Sequence, residues 1–324
     1  MKGKEKLMEI PIDKIRFIKL GSKQDKKEDD CLENAKMILG YREINHFENN
    51  NNLNLEDLKN EFINKHQTEK GAATRHAIQI MNFYDSSETT LWITFAKRKV
   101  WWGFAENSEP YQDADGFTCR TIKDGWKNTD IKGNALTFEN VSGALLKTQG
   151  FQGTICDITQ KDSFPIVEYT KRLISGEKLK EVEIAETNKN NIEKSMGDLL
   201  KMLHPKDFEY IVDLIFQYSG WKKLTPGAGV EEFIDLDLLS PLTNERAVVQ
   251  IKSTTSQQEY NDYEQKFYNH GTLYDRFFYV FHSPDKLNLK TNQKTKPIHI
   301  LGIKEIATLI VELGLITILM KKVS

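Results

Sequence analysis

The chain has 324 residues, of which 39% are hydrophobic, 28% charged and 10% aromatic, so it can bury at least one full core and is not globally disordered. Its 45 Lys and Arg residues stand against 47 Asp and Glu residues, which excludes a uniformly basic surface and limits any polyanion contact to a local patch. The three cysteines, Cys31, Cys119 and Cys156, form no Cys-x-x-Cys pair, which excludes a disulfide framework and a Cys-rich zinc site.

In chain order, the first half mixes strand and helix patterns. The predicted elements are a strand (10–20), two helices (55–65 and 74–83), a hairpin (91–105) and two short strands (135–138 and 153–158). The hairpin is expected to turn at Lys97-Arg98-Lys99. We therefore predict an α+β domain with a small β-barrel over residues 1–174.

Residues 175–194 are predicted to be a linker because they contain hardly any bulky apolar residue after Leu179. The second domain, residues 195–324, opens with an amphipathic pattern interrupted at His204-Pro205, where proline favours the start of a new helix. The elements predicted after it are a helix from 206 that ends at Gly220, strands 233–239 and 246–253, helix 257–268, strand 276–282, helix 304–313 and strand 315–320. This order predicts an α/β domain with a mixed sheet covered by helices.

No segment predicts secretion or a membrane span. The start of the chain has too short an apolar run for a signal peptide. The most apolar stretch, residues 306–320, is interrupted by Glu312 and Gly314 and is shorter than the roughly 20 residues that span a bilayer. We expect a cytoplasmic protein in a reducing compartment, without a membrane partner.

Two neighbouring strands of the second half carry polar residues with a period of two. This spacing places Gln250 and Lys252 on one face of their strand, with Asp235 and Asp237 on one face of the strand before it. We expect the opposite faces to be core and these faces to form a site.

Carboxylate and amide oxygens are the ligands that Mg²⁺ prefers, so Asp235 and Gln250 predict a magnesium site. Such a metal serves phosphodiester hydrolysis by activating water and neutralising phosphate charge. Lys252 adds a positive charge for the water or the transition state, and Glu209 on the preceding helix could reach the metal.

This set of residues resembles the PD-(D/E)XK nucleases, and specifically the Mrr-like restriction endonucleases. The matching elements are Phe208-Glu209, Gly220-Trp221, Asp235 and Gln250-Ile251-Lys252, and they cover about the last 125 residues. The resemblance implies a three-layer α/β/α fold, Mg²⁺ dependence and DNA cleavage. The chain departs from the family at Glu231-Glu232-Phe233, where a glycine is common, which leaves the choice between Asp235 and Asp237 open.

A structural alternative exists for each of these residues. Gln250 and Lys252 could form a solvated strand face with Asp235 as a salt-bridge partner. Glu209 could lie on the polar face of its helix with Asp213, four residues on. The order of the helix, the acidic strand and the Gln-x-Lys strand favours the nuclease interpretation.

Four tryptophans, Trp92, Trp101, Trp102 and Trp126, occur within one short region of the first half. They could fill a barrel core, or some of them could stack on a flipped-out DNA base while Lys97, Arg98 and Lys99 hold phosphates. The tryptophan-rich hairpin and the domain order resemble EVE- or PUA-related modules, which implies a reader of modified bases.

Together with the site pattern, the two resemblances imply a Mg²⁺-dependent endonuclease of a restriction system that defends against foreign DNA. Its N-terminal domain is expected to select double-stranded DNA, with a modified base as the candidate mark. A homodimer is expected, since two strands need two active centres. Gly227-Ala228-Gly229 lacks the residues of a P-loop, so no nucleotide cofactor is expected. The alternatives are a catalytically inactive nucleic-acid-binding protein and a sequence-specific restriction enzyme for unmodified DNA.

Overall fold

The computed structural model describes residues 12–21, 27–48, 53–85, 87–159, 165–224, 234–269, 273–291 and 297–324. The chain divides into two compact units, Met1–Lys178 and Leu179–Ser324, which are called the first and the second unit below. The start of the predicted strand at residue 10, the glycines 227–229 and the departure from the family pattern at residues 231–233 lie outside the described residues.

The sequence predicts some of the strands and helices of the first unit and misses others. In chain order they are β1 (Lys14–Ile18), α1 (Lys27–Glu33), β2 (Lys36–Leu39), α2 (Leu55–His66), α3 (Lys70–Tyr84), β3 (Thr90–Ala96), β4 (Lys99–Phe104), β5 (Tyr111–Gln112), β6 (Thr118–Thr121), α4 (Gly143–Leu146), β7 (Ile155–Asp157) and α5 (Ile166–Ser175). The predicted hairpin is confirmed as β3 and β4.

The strands of the first unit form two open sheets, with the orders β4-β3-β1-β7 and β2-β6-β5. Among the described residues neither sheet closes on itself, so the predicted barrel is wrong. The predicted strand at residues 135–138 makes only isolated bridges, such as Lys99 with Thr137, before a 3-10 turn at Phe138–Asn140. The segment that was expected to add a barrel strand therefore ends in a turn.

Both faces of the four-stranded sheet are buried, because alternate residues of its strands enter different cores. On one face Phe17, Ile93 and Trp102 pack with residues of α5 such as Ile166. On the other face Trp92 packs with residues of α2 and α3. Covered sheet faces explain the density of aromatic residues in this part of the chain.

The second unit is built around one mixed sheet. Its elements are α6 (Lys180–Leu200), α7 (Pro205–Tyr218), β8 (Lys222–Lys223), β9 (Leu236–Leu239), β10 (Arg246–Thr254), α8 (Gln257–Asn269), β11 (Arg276–Ser283), β12 (Ile298–Leu301), α9 (Ile303–Glu312) and α10 (Ile316–Val323). The strand order is β12-β11-β10-β9-β8, with β10, β11 and β12 parallel and β8, β9 and β10 antiparallel.

Helices cover both faces of this sheet. Residues of α6, α7, α9 and α10 form a core with Val249 and Ile251 of β10 on one face. On the other face Val248 packs with Tyr260 and Phe267 of α8. The second unit is therefore a mixed α/β arrangement of helix, sheet and helix layers, as expected.

The division between the two units, after Lys178, lies within the predicted linker, 175–194. Residues 180–194 of that segment are helical, since they belong to α6, whose charged residues form pairs such as Lys189 with Glu193 at 3.4 Å. One prediction about the second unit is wrong. The predicted strand at 315–320 is the helix α10, whose Leu319 is buried in the core. None of the helices in the described residues is both long and apolar enough to cross a membrane.

Candidate active site

The candidate site lies where the pairing between β9 and β10 ends. Leu236, the first residue of β9, lies opposite Val249 of β10. The N–H of the preceding residue, Asp235, donates to the Val249 carbonyl at 3.0 Å. The N–H of Ile251 then donates to Oδ2 of Asp235 at 2.6 Å instead of to a backbone carbonyl. A strand amide needs an acceptor, so this bond fixes the Asp235 carboxylate at the strand end.

Gln250 contacts the same carboxylate oxygen. Its Nε2 donates to Oδ2 of Asp235 at 2.6 Å, and the residue is only 4% exposed. Its Oε1 is buried and has no hydrogen-bond partner within the part of the chain that the structure describes. An unsatisfied buried acceptor costs about 1–3 kcal/mol, so the site carries an unused amide oxygen next to a carboxylate.

The charges around Asp235 include two more residues that the sequence predicts for the site. The protein packed around the carboxyl raises the pKa of Asp235, although the residue as a whole is exposed. The Ile251 amide opposes this shift, the negative charge of Glu209 adds to it, and the positive charges of Lys252 and Lys206 lower the pKa. The structure therefore brings Glu209 and Lys252 within electrostatic range of Asp235.

Glu209 projects from α7, which starts at Pro205 as the sequence predicts. Its Oε2 lies 3.1 Å from Nζ of Lys206, and its side chain is 38% exposed. The alternative partner, Asp213, instead pairs with Lys223 at 3.0 Å. In the described ranges this exposed ion pair is the only contact that holds the Glu209 side chain, so Glu209 remains available to the site.

Lys252 follows Gln250 on the same face of β10, but its ammonium group is held by α8. Nζ lies 3.1 Å from Oε1 of Glu259 and 4.8 Å from the ring centroid of Tyr263. Burial alone would lower the pKa of Lys252, but the interactions with Tyr263 and Glu259 outweigh it and raise the pKa. The side chain is therefore a fixed cation at neutral pH.

Asp237 is oriented to the same face as Asp235 but has a different role. It is 6% exposed, and its Oδ2 accepts a hydrogen bond from Nη2 of Arg246 at 2.6 Å. Gln250 contacts Asp235 and not Asp237, so the register that the sequence leaves open places Asp235 at the candidate site.

The expectation that one whole face of β10 is a site is wrong. Val248 lies on the face of Gln250 and Lys252, yet it is fully buried against Tyr260 and Phe277. Helix α8 covers that part of the sheet, so the site is confined to the last residues of the strand.

The donor set fits a hard divalent cation. Among the described residues, no three His, Cys, Asp or Glu side chains form a group that could hold a metal ion. A cation at the strand end would therefore have to be held by the oxygens of Asp235, Glu209 and the Gln250 amide. Mg²⁺ commonly keeps several waters and takes only one or two carboxylates from the protein. The Gln250 amide would have to turn over to present Oε1 to a cation held by Asp235, and the orientation of such an amide follows the hydrogen bonds available to it.

Sequence reasoning missed Glu259 and Tyr263. They lie four residues apart in the helix that follows Lys252, a spacing that places both side chains on one helix face. That spacing is visible in the sequence, but it points to Lys252 only once α8 is packed on the sheet.

The four tryptophans of the first unit lie in or against the core. Trp92, Trp102 and Trp126 are at most 8% exposed, and Trp101 is half-buried. Three indole N–H groups donate to backbone carbonyls: those of Trp101 to Ala96 at 3.1 Å, Trp102 to Thr129 at 2.8 Å and Trp126 to Lys36 at 3.0 Å. The expectation that buried Trp92, Trp102 and Trp126 stack on a base is corrected, because their rings are packed by other side chains.

The basic hairpin turn is neutralised by its own unit. Lys97 and Arg98 have φ values of 51° and 57°, so the turn has two residues, and Lys99 already belongs to β4. Nζ of Lys97 lies 2.8 Å from Asp29, and Nη2 of Arg98 lies 2.7 Å from Glu139. The Arg98 hydrogen bond is the largest contribution that lowers the pKa of Glu139 to about 2.

No protein-family model, no curated protein and no solved structure matches the chain. The site geometry and the motif resemblance are therefore the observations that bear on function.

Proposed function

We propose that the protein is a Mg²⁺-dependent endonuclease that cuts double-stranded DNA in a restriction system directed against foreign DNA. The observation that carries the proposal is the hydrogen bonding of Asp235. One carboxylate oxygen accepts from both the Ile251 amide and the Gln250 side chain at 2.6 Å, while Oε1 of Gln250 is buried without a partner among the described residues. Structural polar groups are normally satisfied, and functional sites are where exceptions gather.

Each site residue has a distinct part in the proposed reaction. Asp235, Gln250 and Glu209 would hold Mg²⁺, which when bound supplies charge that activates water and neutralises the phosphate. Lys252 carries a fixed positive charge next to these oxygens and would stabilise the negative charge that grows on the phosphate. Because its pKa is raised, Lys252 acts as a cation and not as the proton acceptor.

The first unit would select the target, with a modified base as the candidate mark, and cutting of both strands would require two copies of the chain on DNA. The half-buried Trp101 is the one tryptophan of the four that is not fully buried. It is therefore the remaining candidate for an aromatic contact with a base.

The test compares supercoiled plasmid from methylating and non-methylating hosts, incubated with the full chain and either Mg²⁺ or EDTA. Nicking or linearisation with Mg²⁺ and none with EDTA is expected, and a preference for one host identifies a modified target. Asp235→Ala and Lys252→Ala should each abolish cleavage while the far-UV circular dichroism stays that of the wild type. Full cleavage by both variants would refute the site.

Asp275 supplies a matched control for Asp235. It also caps an amide of β10, that of Arg246, with Oδ2 at 2.8 Å, but at the opposite end of the strand. Asp275→Asn should therefore leave cleavage at the wild-type rate, whereas Asp235→Asn should remove it. Equal losses in both variants would indicate a general effect of disturbing β10.

A second candidate function is a nucleic-acid-binding protein whose nuclease fold does not cut. The contacts that favour it are those of the site residues with each other, since Gln250 donates an N–H to Asp235 and Glu259 pairs with Lys252. This alternative predicts DNA binding that is independent of Mg²⁺ and no nicking of any plasmid. A third candidate, a sequence-specific enzyme for unmodified DNA, predicts equal cleavage of plasmid from the two hosts.

A further inference from the structure

Helix α8 starts immediately after the strand that carries the site. Only Thr255 and Ser256 separate β10 from α8, and Oγ of Ser256 accepts the N–H of Glu259 at 3.2 Å. Glu259 lies in the first turn of the helix, and Tyr263 follows one turn later on the same face. The short connection therefore returns these two side chains towards the end of β10.

Both side chains contact Lys252. Nζ of Lys252 lies 3.1 Å from Oε1 of Glu259. The Lys252 side chain is 26% exposed and that of Glu259 37%. The same Nζ lies 4.8 Å from the centroid of the Tyr263 ring, within the range of a cation–π contact. A lysine side chain has a flexible four-carbon stem, so its ammonium group can occupy many positions. Two partners on a neighbouring helix restrict it to one of them.

We propose that Glu259 and Tyr263 are positioning residues, which hold the Lys252 ammonium at the end of β10 so that its charge meets the scissile phosphate. The inference rests on the proposed nuclease function. Neither residue needs to contact DNA or metal, since both act through Lys252. Glu259 provides the main constraint because it is a charged partner at hydrogen-bond distance, and the Tyr263 ring limits movement on the other side.

The simple electrostatic expectation for Glu259 has the opposite sign, which makes the inference testable. A carboxylate near bound DNA repels the phosphates, so its removal should by itself tighten DNA binding. If Glu259 positions Lys252, however, its removal should slow the chemical step. Loss of a group that orients a catalytic residue typically costs on the order of 10- to 100-fold in activity.

The experiment measures Mg²⁺-dependent plasmid cleavage by the full chain for Glu259→Gln, Glu259→Asp, Tyr263→Leu and Tyr263→Phe. We expect Glu259→Gln to lower kcat on the order of 10- to 100-fold with KM for DNA unchanged or lower. Glu259→Asp should recover part of the loss because it keeps the charge. Tyr263→Leu should lower kcat less than Glu259→Gln, and Tyr263→Phe should recover most of that loss because it keeps the ring.

Asp262 on α8 serves as the matched control. It is an exposed carboxylate of the same helix. Asp262→Asn reports the general effect of removing a negative charge and should retain the wild-type kcat.

A spectroscopic measurement tests the contact independently of cleavage. In ¹H–¹⁵N spectra of lysine ammonium groups, the signal lost in Lys252→Met identifies Lys252. It should show restricted motion in the wild type and greater motion in Glu259→Gln. Absence of a change between the two proteins would overturn the positioning role.

The outcomes separate the two proposals. If the wild type does not cleave DNA with Mg²⁺, the proposed function fails and the inference fails with it. If the wild type cleaves and Glu259→Gln cleaves as fast or faster, only the inference fails, because Glu259 is then a surface partner or a restraint on Lys252. A loss in Asp262→Asn equal to that in Glu259→Gln also overturns it.

Discussion

The strand end of the second unit and the tryptophan hairpin of the first unit differ in how their polar groups are satisfied. At the strand end Gln250 Oε1 is buried with no partner from the residues that the structure describes, and the surrounding protein raises the pKa of Asp235. In the hairpin, the indole N–H groups of Trp101 and Trp102 donate to backbone carbonyls. The first arrangement leaves binding capacity unused, whereas the second uses it to hold the fold.

Residue type alone therefore does not distinguish a site from a core. Natural proteins retain destabilising groups where function requires them, at some cost in stability. Substitutions in the hairpin should therefore reduce stability, and substitutions at the strand end should affect function first. Four predictions test this contrast, in order of expected effect.

The largest expected effect is loss of stability in Trp92→Ala. Trp92 is fully buried and packs against the ring of Phe83. The guanidinium of Arg16 lies 5.9 Å from the centroid of the Trp92 ring. Removing a buried aromatic side chain costs about 3–5 kcal/mol. The measurement is urea unfolding followed by far-UV circular dichroism, with half-buried Trp101→Ala as the control that should lose less. Wild-type stability combined with lost DNA binding would instead support a base-reading role for Trp92.

The second prediction compares two buried arginines of the first unit. Arg16 is 1% exposed and donates to Oδ2 of Asp85 at 2.7 Å and to the carbonyl of Asn82 at 2.5 Å. Arg120 is 7% exposed, and within the described residues its recorded hydrogen bond is a long one, 3.5 Å to the carbonyl of Phe83. Arg16→Met leaves the carbonyls of Asn82 and Asp85 without this donor, while the exposed Asp85 carboxylate can turn to water. An acceptor left unsatisfied away from water costs about 1–3 kcal/mol, so Arg16→Met should be clearly more destabilising than Arg120→Met, which loses a long hydrogen bond.

The same urea titrations decide this comparison. Equal destabilisation by the two arginine substitutions would contradict it, because it would mean that partners contribute nothing to the stability of a buried guanidinium. A gain in stability for Arg120→Met would weaken the contrast, since it would show that the first unit also retains a costly charge.

Strictly periodic segments allowed most elements to be predicted from sequence. The alternation in β10 and the Pro205 start of α7 both agree with the structure. The start of α6 was missed because its residues before Met196 are almost all exposed, so the sequence shows no apolar stripe there. Helix propensity, which is a weak signal, is what favours a helix in that segment. The helix α10 was predicted as a strand because a short apolar run is compatible with both structures.

The candidate site was predicted only in part, because local periodicity fixes some of its residues and tertiary packing fixes the others. Gln250 and Lys252 follow from strand alternation, which is a local property. The choice of Asp235 over Asp237 depends on the register between two strands, and Asp237 is used by Arg246. The contact of Lys252 with Glu259 depends on how a helix packs on the sheet, which no short-range pattern fixes.

The third prediction concerns the pH dependence of stability. The pKa of Asp235 in the folded chain is raised above its ordinary value of 3.8, so ionisation of this carboxyl disfavours the folded state. The penalty is absent below the ordinary value, where the group is protonated in both states, and is complete above the folded value. Asp235→Asn should therefore raise Tm at pH 7, and the gain should shrink as the pH falls towards 3.8.

Thermal melting of the wild type and of Asp235→Asn at a series of pH values measures this effect. Asp275→Asn, at the other end of β10, should show no comparable gain. A lower Tm for Asp235→Asn at pH 7 would mean that the hydrogen bonds of Asp235 to Gln250 and Ile251 stabilise the folded chain by more than the desolvation of its carboxylate destabilises it. The contrast between site and core would then weaken.

The smallest expected effect is that of the hairpin turn on DNA binding. Lys97 and Arg98 are each paired with a carboxylate of the same unit, Asp29 and Glu139, so their charges are partly compensated before any DNA arrives. A phosphate contact contributes about 0.9 to the slope of log affinity against log salt concentration. The double variant Lys97→Ala, Arg98→Ala should change this slope by less than about 1. A fall of about 2 would show instead that both side chains leave their carboxylates for phosphates, and the hairpin would regain the DNA-contacting role that its sequence suggested.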